Sequence, residues 1–360
     1  MNTKRLKKLK LILQRESQPL FPYLITDPKN IFYLSGFKGS YAYLLVDQKK
    51  SYLISDARYQ EYAESILPPE IKFILQKDNF YKTLNSILEK IKREFLYIED
   101  ASLTLKTFLQ IKKNIKKIKI IPTPSKISHL RIIKNDQEIK ILKKAAQITD
   151  QCISHLLKII KPGLYEWDLV IEIEHFFKTH KCRQTSFEPI VASGPNSSKP
   201  HHQSSNRQKI KTNAPLLIDL GCEYQGYNSD LTRTFFINKV NSRLKTIYNI
   251  VLEAQLEAIS FVKPGLKTIA LDNIARKIIS QKGYGDYFTH SLGHGFGLEI
   301  HEDPLINNRH NIELKPKMTI TIEPGIYLPG YGGVRIEDMV LVTDTGYEVL
   351  TKSTKDLTII

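Results

Sequence analysis

Short apolar runs alternate with amphipathic stretches over the first third of the chain. The runs YLIT, YAYLLV, SYLIS, FLYI and IKII have the length and apolar character of strands. Helical periodicity between them predicts helices over Tyr59–Ile66 and Phe80–Lys92. This alternation predicts a compact α/β domain over residues 1–122.

A change of composition follows that domain. Proline and serine in residues 123–131 predict a linker. A helix is predicted to begin after Asn135, which can form a capping box with Glu138, and to run amphipathically to Pro162. Residues 132–360 are therefore expected to form a second domain.

The second domain contains an internal repeat. IIKPGLYEWDLVIEIEHFF, residues 159–177, aligns without gaps with FVKPGLKTIALDNIARKII, residues 261–279, at an offset of 102 residues. Each copy follows one amphipathic helix and opens another, and each precedes a strand that carries an acidic residue, Asp219 or Glu323. This duplication predicts two half-sites that face each other across a pseudo-two-fold axis.

Four acidic residues lie in apolar, strand-like surroundings. LLIDLG contains Asp219 and NSDLTRTFF contains Asp230, while TITIEPG contains Glu323 and GVRIEDMV contains Glu337. An ionised carboxylate in a dry strand costs several kcal/mol unless it is paired or bound to a metal. For any one of them an arginine or lysine partner is the simpler explanation, but repeat-matched positions favour a shared metal site.

His294, flanked by glycines in SLGHGFGLEIHE, is a fifth candidate ligand. Four carboxylates balance the charge of two divalent ions, and oxygen-rich ligation with one imidazole favours Mn²⁺, with Co²⁺ or Zn²⁺ as alternatives. Two such ions activate water, so hydrolysis is the expected reaction. His290, His301 and His201 are candidate donors to the oxyanion of the transition state.

Composition excludes several other classes of protein. No run of about 18 apolar residues is present, no secretory leader is expected from the basic N-terminal stretch, and three cysteines without CxxC spacing favour a reducing cytoplasm. The net charge is +16. It comes mainly from lysine without any nucleic-acid-binding motif, so a solvated basic surface is preferred to a nucleic-acid site.

Together, IDLG, NSDLTRTF, GHGFGLEIHE, TIEPGIY and GVRIED resemble the motifs of the pita-bread metallopeptidase family, in the order in which that family has them. The resemblance covers residues from about 130 to 360. It implies an α+β pita-bread domain, and it implies five metal ligands: Asp219, Asp230, His294, Glu323 and Glu337.

The same resemblance implies roles for the remaining candidates. Asp230 and Glu337 look like the bridging ligands, and Glu323 would also take a proton from the attacking water. His290 and His301 match substrate-facing histidines, and Arg335 matches a supporting arginine. His201 matches a third such histidine, although the adjacent His202 and a spacing to Asp219 that is one residue longer than usual leave both as alternatives.

The first domain indicates the branch of the family. YLITDPKNIFYLSGFKGSYAYLLV and LISDARYQEYA resemble the N-terminal domain of proline-specific members. We therefore expect an aminopeptidase that cleaves before proline in peptides, with an Xaa-Pro dipeptidase (prolidase) as the alternative and an inactive pita-bread binding protein as a remote one. A homodimer or higher homo-oligomer is also expected.

Overall fold

In the computed structural model, which describes residues 2–360, the chain forms two compact units. The first ends at Arg131 and the second runs from Ile132 to Ile360. Residues 123–131, expected to be a linker, belong to the first unit. There Thr123 ends a strand, and the Ser125 hydroxyl donates to the Glu99 carboxylate at 2.6 Å, so this polar stretch is tied to the sheet.

The first unit is a six-stranded mixed sheet with helices. Its strands are β1 (Tyr23–Ile25), β2 (Tyr43–Val46), β3 (Ser51–Ser55), β4 (Ile71–Leu75), β5 (Phe95–Glu99) and β6 (Lys119–Thr123), in the order β4-β3-β2-β1-β5-β6. Its helices are α1 (Asn2–Arg15), α2 (Pro28–Ser35), α3 (Gln60–Ile66), α4 (Phe80–Ile91), α5 (Leu105–Asn114) and α6 (Ser128–Ile132). The α/β class predicted for this part of the chain is confirmed.

Four long helices pack on the sheets of the second unit. They are α7 (Asp136–Ile159), α8 (Glu166–Thr179), α9 (Ser242–Ser260) and α10 (Thr268–Gln281). Asn135 caps α7 in the predicted capping box. Its side chain accepts from the Glu138 backbone N–H, and the Glu138 carboxylate accepts from the Asn135 backbone N–H. None of the helices in residues 2–360 is long and apolar enough to cross a membrane.

The strands of the second unit form two principal sheets. They are β7 (Gln184–Thr185), β8 (Ile190–Ser193), β9 (Ala214–Leu220), β10 (Cys222–Tyr224), β11 (Tyr227–Asn228), β12 (Leu231–Ile237), β13 (Gly293–Gly295), β14 (Glu302–Ile306), β15 (Thr319–Ile322), β16 (Gly325–Leu328), β17 (Gly332–Arg335), β18 (Asp338–Val342) and β19 (Tyr347–Val349). One sheet has the order β12-β9-β8 and the other β14-β13-β15-β18-β19. Two smaller sheets have the orders β11-β10-β7 and β16-β17.

The predicted repeat is confirmed as a pair of matching halves. Helix α10 begins and ends 102 residues after α8, and both follow a turn in which a glycine has a positive φ, 91° at Gly163 and 85° at Gly265. The strands β8, β9 and β12 of the first half correspond in order and antiparallel pairing to β13, β15 and β18 of the second. Each half has its own apolar core between two helices and its sheet.

Candidate metal and catalytic site

The four acidic residues occupy matching places in the two halves. Asp219 is the penultimate residue of β9, and Glu323 directly follows the corresponding strand β15. Asp230 directly precedes β12, and Glu337 directly precedes the corresponding strand β18. Because both strand pairs are antiparallel, the end of one strand meets the start of its neighbour, and each half brings its two carboxylates to one place.

His294 lies at the centre of β13, between Gly293 and Gly295, and both of these flanking positions have space only for glycine. A Cβ on Gly293 would lie 2.0 Å from the Thr321 carbonyl oxygen, and one on Gly295 would lie 2.3 Å from that of Asp303. The imidazole Nδ1 donates to the Gly295 carbonyl oxygen at 3.1 Å. That bond fixes the tautomer, so that Nε2 faces the acidic cluster.

The side chains of both halves converge. Ligand atoms of Asp230, His294 and Glu337 all lie within 4.8 Å of one another. His294 Nε2 is 3.6 Å from Asp230 Oδ2 and 3.3 Å from Glu323 Oε1. Asp219 Oδ1 and Glu337 Oε1 are sealed from solvent without any hydrogen-bond partner in the described chain. Buried oxygens without donors are costly, and divalent cations are the partners that would satisfy this donor set.

Electrostatics within the cluster point the same way. Burial raises the pKa of Asp230 and Glu337 well above the usual carboxyl range, and neighbouring acids raise it further. Burial alone would raise the pKa of Glu323, but the hydrogen bond and charge of His294 outweigh it and hold that pKa at about 2. Carboxylates this close repel one another, so positive charge placed among them would stabilise all four.

Arg335 joins the two halves of the site. Its guanidinium donates to Asp219 Oδ2 at 2.6 Å, to Thr232 Oγ1 at 3.0 Å and to the Tyr327 hydroxyl at 2.9 Å. The side chain is 4% exposed. Arg335, predicted to be a supporting residue, therefore holds Asp219 from the opposite half of the unit.

Two threonines and a tyrosine, not identified from the sequence, orient the acids. Thr232 Oγ1 donates to Glu337 Oε2 at 2.7 Å, and Thr321 Oγ1 donates to Glu323 Oε1 at 3.2 Å. Each threonine is two residues from an acid along its strand, Asp230 or Glu323, a spacing that places side chains on one face of a strand. That spacing was a usable sequence signal.

The tyrosine is Tyr327 of β16. Its hydroxyl accepts from Arg335 and lies 2.9 Å from His290 Nε2, while His290 Nδ1 lies 2.8 Å from the Ser291 carbonyl oxygen. Because the Ser291 carbonyl can only accept, His290 Nδ1 carries the proton, and Nε2 accepts from Tyr327. Both ring nitrogens of His290 are therefore engaged by the protein.

The other predicted histidines surround the cluster differently. The His301 ring packs edge-on against His294 with centroids 4.4 Å apart. Neither His301 nor His201 has a side-chain hydrogen-bond partner within residues 2–360. His202, by contrast, is bonded through Nε2 to Glu166 Oε2 at 2.8 Å. His201 is thus the one of the two adjacent histidines whose ring is not engaged.

A cavity of about 490 Å³ opens over the cluster, a size suited to a small peptide. All of its lining residues belong to the second unit. They include all five candidate ligands, the four histidines His201, His202, His290 and His301, and the apolar side chains of Phe187, Ile190, Pro200, Ile300 and Leu305. Candidate ligands and candidate proton donors therefore face one chamber.

Comparison with known proteins identifies relatives along the whole chain. Residues 140–344 match the model of metallopeptidase family M24, and residues 5–133 match that of the creatinase/prolidase N-terminal domain. An Xaa-Pro dipeptidase of Pyrococcus horikoshii is 38% identical over 97% of both chains. The structure of an Xaa-Pro dipeptidase from Bacillus anthracis is 38% identical, with a TM-score of 0.96 and full coverage of both chains.

An aminopeptidase is also among the similar structures. The X-Pro aminopeptidase from Thermotoga maritima is 30% identical, with a TM-score of 0.88, over 94% of this chain and 98% of its own. The fold and the two domain types are thus shared by dipeptidases and an aminopeptidase.

Proposed function

The chain belongs to metallopeptidase family M24, and on that premise we propose that it is an Xaa-Pro dipeptidase that hydrolyses the bond before proline in dipeptides. The observation that carries this proposal is that all five candidate metal ligands line one peptide-sized cavity, and that ligand atoms of three of them lie within 4.8 Å of one another. Similarity over the whole chain to Xaa-Pro dipeptidases supports the choice of substrate. It favours the dipeptidase over the aminopeptidase that the sequence motifs had suggested first.

We propose Asp219, Asp230, His294, Glu323 and Glu337 as the ligands of two divalent ions. Their oxygen-rich donor set favours Mn²⁺, with Co²⁺ or Zn²⁺ as alternatives. Two such ions would lower the pKa of a water molecule and polarise the scissile carbonyl. In this scheme Asp230 and Glu337, which the family resemblance implies as the shared ligands, would hold the ions together with His294, whose ligand atom belongs to the same converging group.

The side chains around the ligands divide the remaining work. Glu323 would accept the proton of the attacking water, since Thr321 orients its carboxylate and leaves one oxygen without that bond. His301 and His201 would donate to the developing oxyanion, because neither ring is engaged by the protein. His290 is assigned instead to positioning, because Ser291 and Tyr327 engage both of its nitrogens.

A dedicated enzyme for this bond has a physical rationale. The amide before proline is tertiary, lacks N–H, and has φ fixed near −65° by the ring. Peptidases that hold their substrate through that N–H have nothing to bind. A site that holds the α-amine and the scissile carbonyl avoids this requirement.

An Xaa-Pro aminopeptidase is the second candidate, and one observation favours it. Among the residues that line the cavity there is no lysine, and the single arginine, Arg335, is already committed to Asp219. A dipeptidase must recognise the free C-terminal carboxylate of its substrate, whereas an aminopeptidase need not. Carboxylate recognition therefore has to come from a less obvious group.

Hydrolysis of Ala-Pro, Ala-Pro-Ala and Ala-Ala-Ala by purified protein, with and without added Mn²⁺, tests the proposal. We expect Ala-Pro to be cleaved in preference to Ala-Pro-Ala, Ala-Ala-Ala to resist, and chelation to abolish turnover. Preferred release of Ala from Ala-Pro-Ala would assign the aminopeptidase. Absence of turnover on all three peptides with bound metal would instead favour an inactive binding protein.

The homo-oligomer and the cytoplasmic location stay predictions. Light scattering on the purified chain tests the first, and fractionation of cells that produce the protein tests the second.

A further inference from the structure

We propose that His202 is the specificity residue that binds the free C-terminal carboxylate of a dipeptide substrate, held in place by Glu166. The inference rests on the dipeptidase function proposed above and names a group that performs its distinguishing task. His202 lines the same cavity as the proposed metal ligands, yet none of the roles assigned so far uses it.

Glu166 is a buried anchor for this histidine. It opens helix α8 and is 0% exposed. Its Oε1 accepts from the Ser193 backbone N–H and the Asn196 side-chain amide, both at 2.9 Å, and its Oε2 lies 2.8 Å from His202 Nε2. Three hydrogen-bonding groups, from Ser193, Asn196 and His202, thus converge on the Glu166 side chain and hold it in one orientation.

That anchor determines which edge of the imidazole remains available. Because a carboxylate oxygen accepts hydrogen bonds, His202 Nε2 is the donor in its contact with Glu166 Oε2. Within residues 2–360, Nδ1 has no hydrogen-bond partner, and it is not among the sealed side-chain nitrogens. The ring itself is 7% exposed and fixed at one edge, so Nδ1 is the free polar atom that His202 offers to the cavity.

Three other basic groups in the cavity, Arg335, His290 and His294, are already committed to protein partners. Arg335 donates to Asp219, Thr232 and Tyr327. His290 has both nitrogens engaged, and His294 directs one nitrogen to Gly295 and the other to the acidic cluster. A substrate carboxylate is repelled by the ligand acids, so an imidazole that can carry positive charge away from them is its natural partner.

His202 also suits this role better than its neighbour does. His201 is exposed and has no partner, so a substrate would have to order its ring. The His202 ring is ordered before substrate arrives, which lowers the entropy cost of binding. Protonated His202 would bridge two carboxylates, one from Glu166 at Nε2 and one from the substrate at Nδ1.

Two isosteric variants separate the two edges of the ring. In His202→Gln the side-chain amide can replace Nε2 and keep the bond to Glu166, while the Nδ1 donor is lost. In His202→Asn the amide lies near the former Nδ1, while the bond to Glu166 is lost. His175→Gln is the matched control, because His175 is an exposed histidine of α8 that does not line the cavity.

The readout is the ratio of kcat/KM for Ala-Pro to kcat/KM for its C-terminal amide, Ala-Pro-NH₂, which has no carboxylate charge. Removal of a hydrogen bond to a charged group is expected to raise KM for Ala-Pro about ten- to a hundred-fold in His202→Gln. KM for the amide should change less than about two-fold, and kcat should change little for either substrate. Where turnover of the amide is too slow, its inhibition constant against Ala-Pro replaces KM.

A ratio that collapses in His202→Gln, stays high in His175→Gln, and is partly retained in a folded His202→Asn supports the inference. Equal losses for acid and amide would overturn it, because His202 would then only maintain the structure of the loop, while the dipeptidase function would stand. If wild-type protein shows no preference for Ala-Pro over Ala-Pro-Ala, the proposed function itself fails.

Discussion

In the first half of the second unit, the sheet β12-β9-β8 brings Asp219 and Asp230 to the cavity. In the second half, β18-β15-β13 brings Glu337, Glu323 and His294. The carboxylates occupy matching positions, but β8 has only Ile190 to Ser193 where β13 carries its histidine. Duplication thus accounts for the acids, and departure from symmetry accounts for the imidazole.

The supporting groups follow the same division. The second half supplies His290, His301, Tyr327 and Arg335 from around β13, β16 and β17, whereas the first half supplies His201, His202 and Glu166, which anchors His202. A symmetric cage has no preferred direction for a peptide. In the proposed function, the unlike histidine groups on its two sides would distinguish the two ends of a substrate.

The largest expected effect comes from removing one matched acid from each half. Asp230→Asn and Glu337→Gln should each lower kcat/KM at least about a thousand-fold, roughly 4 kcal/mol of transition-state stabilisation. Metal content by elemental analysis should fall below two ions per chain in both. Glu257→Gln, at an exposed position of α9, is the control. Activity retained in either variant would remove that acid from the proposed ligand set.

A smaller effect should distinguish two histidines of the second half. His301→Gln should lower kcat by about a hundred-fold, since it removes a proposed oxyanion donor, without loss of metal. His290→Gln should cost less, because the ring bonds only to Ser291 and Tyr327 in the structure. Steady-state kinetics with metal analysis of both variants provides the measurement. A greater loss in His290→Gln would mean that this ring turns toward the substrate.

Loss of the Arg335 contacts between the halves should lower metal affinity or activity by about the same factor or less. Arg335→Lys removes the planar guanidinium that donates to Asp219, Thr232 and Tyr327 together. Tyr327→Phe removes one of these three hydrogen bonds. Changes around metal ligands typically cost 10- to 100-fold in metal affinity or activity, so about that range is expected for Arg335→Lys and its lower end for Tyr327→Phe. Competition with a metal chelator measures the affinity. A wild-type affinity for metal in Arg335→Lys would contradict the supporting role proposed for Arg335.

The smallest effect compares the helix starts of the two halves. The Asn135 side chain accepts from two backbone N–H groups at the start of α7, whereas the Asn241 side chain accepts from one at the start of α9 and from the exposed Tyr331 hydroxyl. Loss of such a cap costs about 1 kcal/mol, so both alanine variants should melt a few degrees below wild type. Asn135→Ala should show the greater decrease in Tm. Equal decreases in Tm would mean that the second backbone hydrogen bond of Asn135 gives its cap no greater effect on stability than that of Asn241.

Much of the fold could be predicted from local sequence because its causes are local. Apolar runs such as SYLIS form strands, and Asn135 with Glu138 forms the capping box. The run IKFIL was missed although it forms β4, which pairs in parallel with β3. Its partner is 20 residues away, and because the two strands are parallel they are joined through helix α3 and not by a hairpin turn that local sequence could indicate.

The sequence indicated which residues belong to the candidate site, but it did not indicate the hydrogen bonds among them. Apolar surroundings and the repeat identified the acids, because burial of charge demands compensation. The state of each histidine depends on distant partners: His290 on Tyr327, 37 residues away, and His202 on Glu166, 36 residues away. A spacing pattern does not reveal such partners, so the roles now proposed for His290 and His202 depend on contacts that the structure adds.

The glycines beside His294 restrict how this site can be redesigned. Any other residue at 293 or 295 would place its Cβ within 2.0 or 2.3 Å of a carbonyl oxygen of a neighbouring strand. A library that randomises this strand to alter metal preference should therefore return almost only glycine at both positions. Diversity is better introduced at Ile300 and Leu305, two cavity-lining residues that are not buried, where new side chains have space.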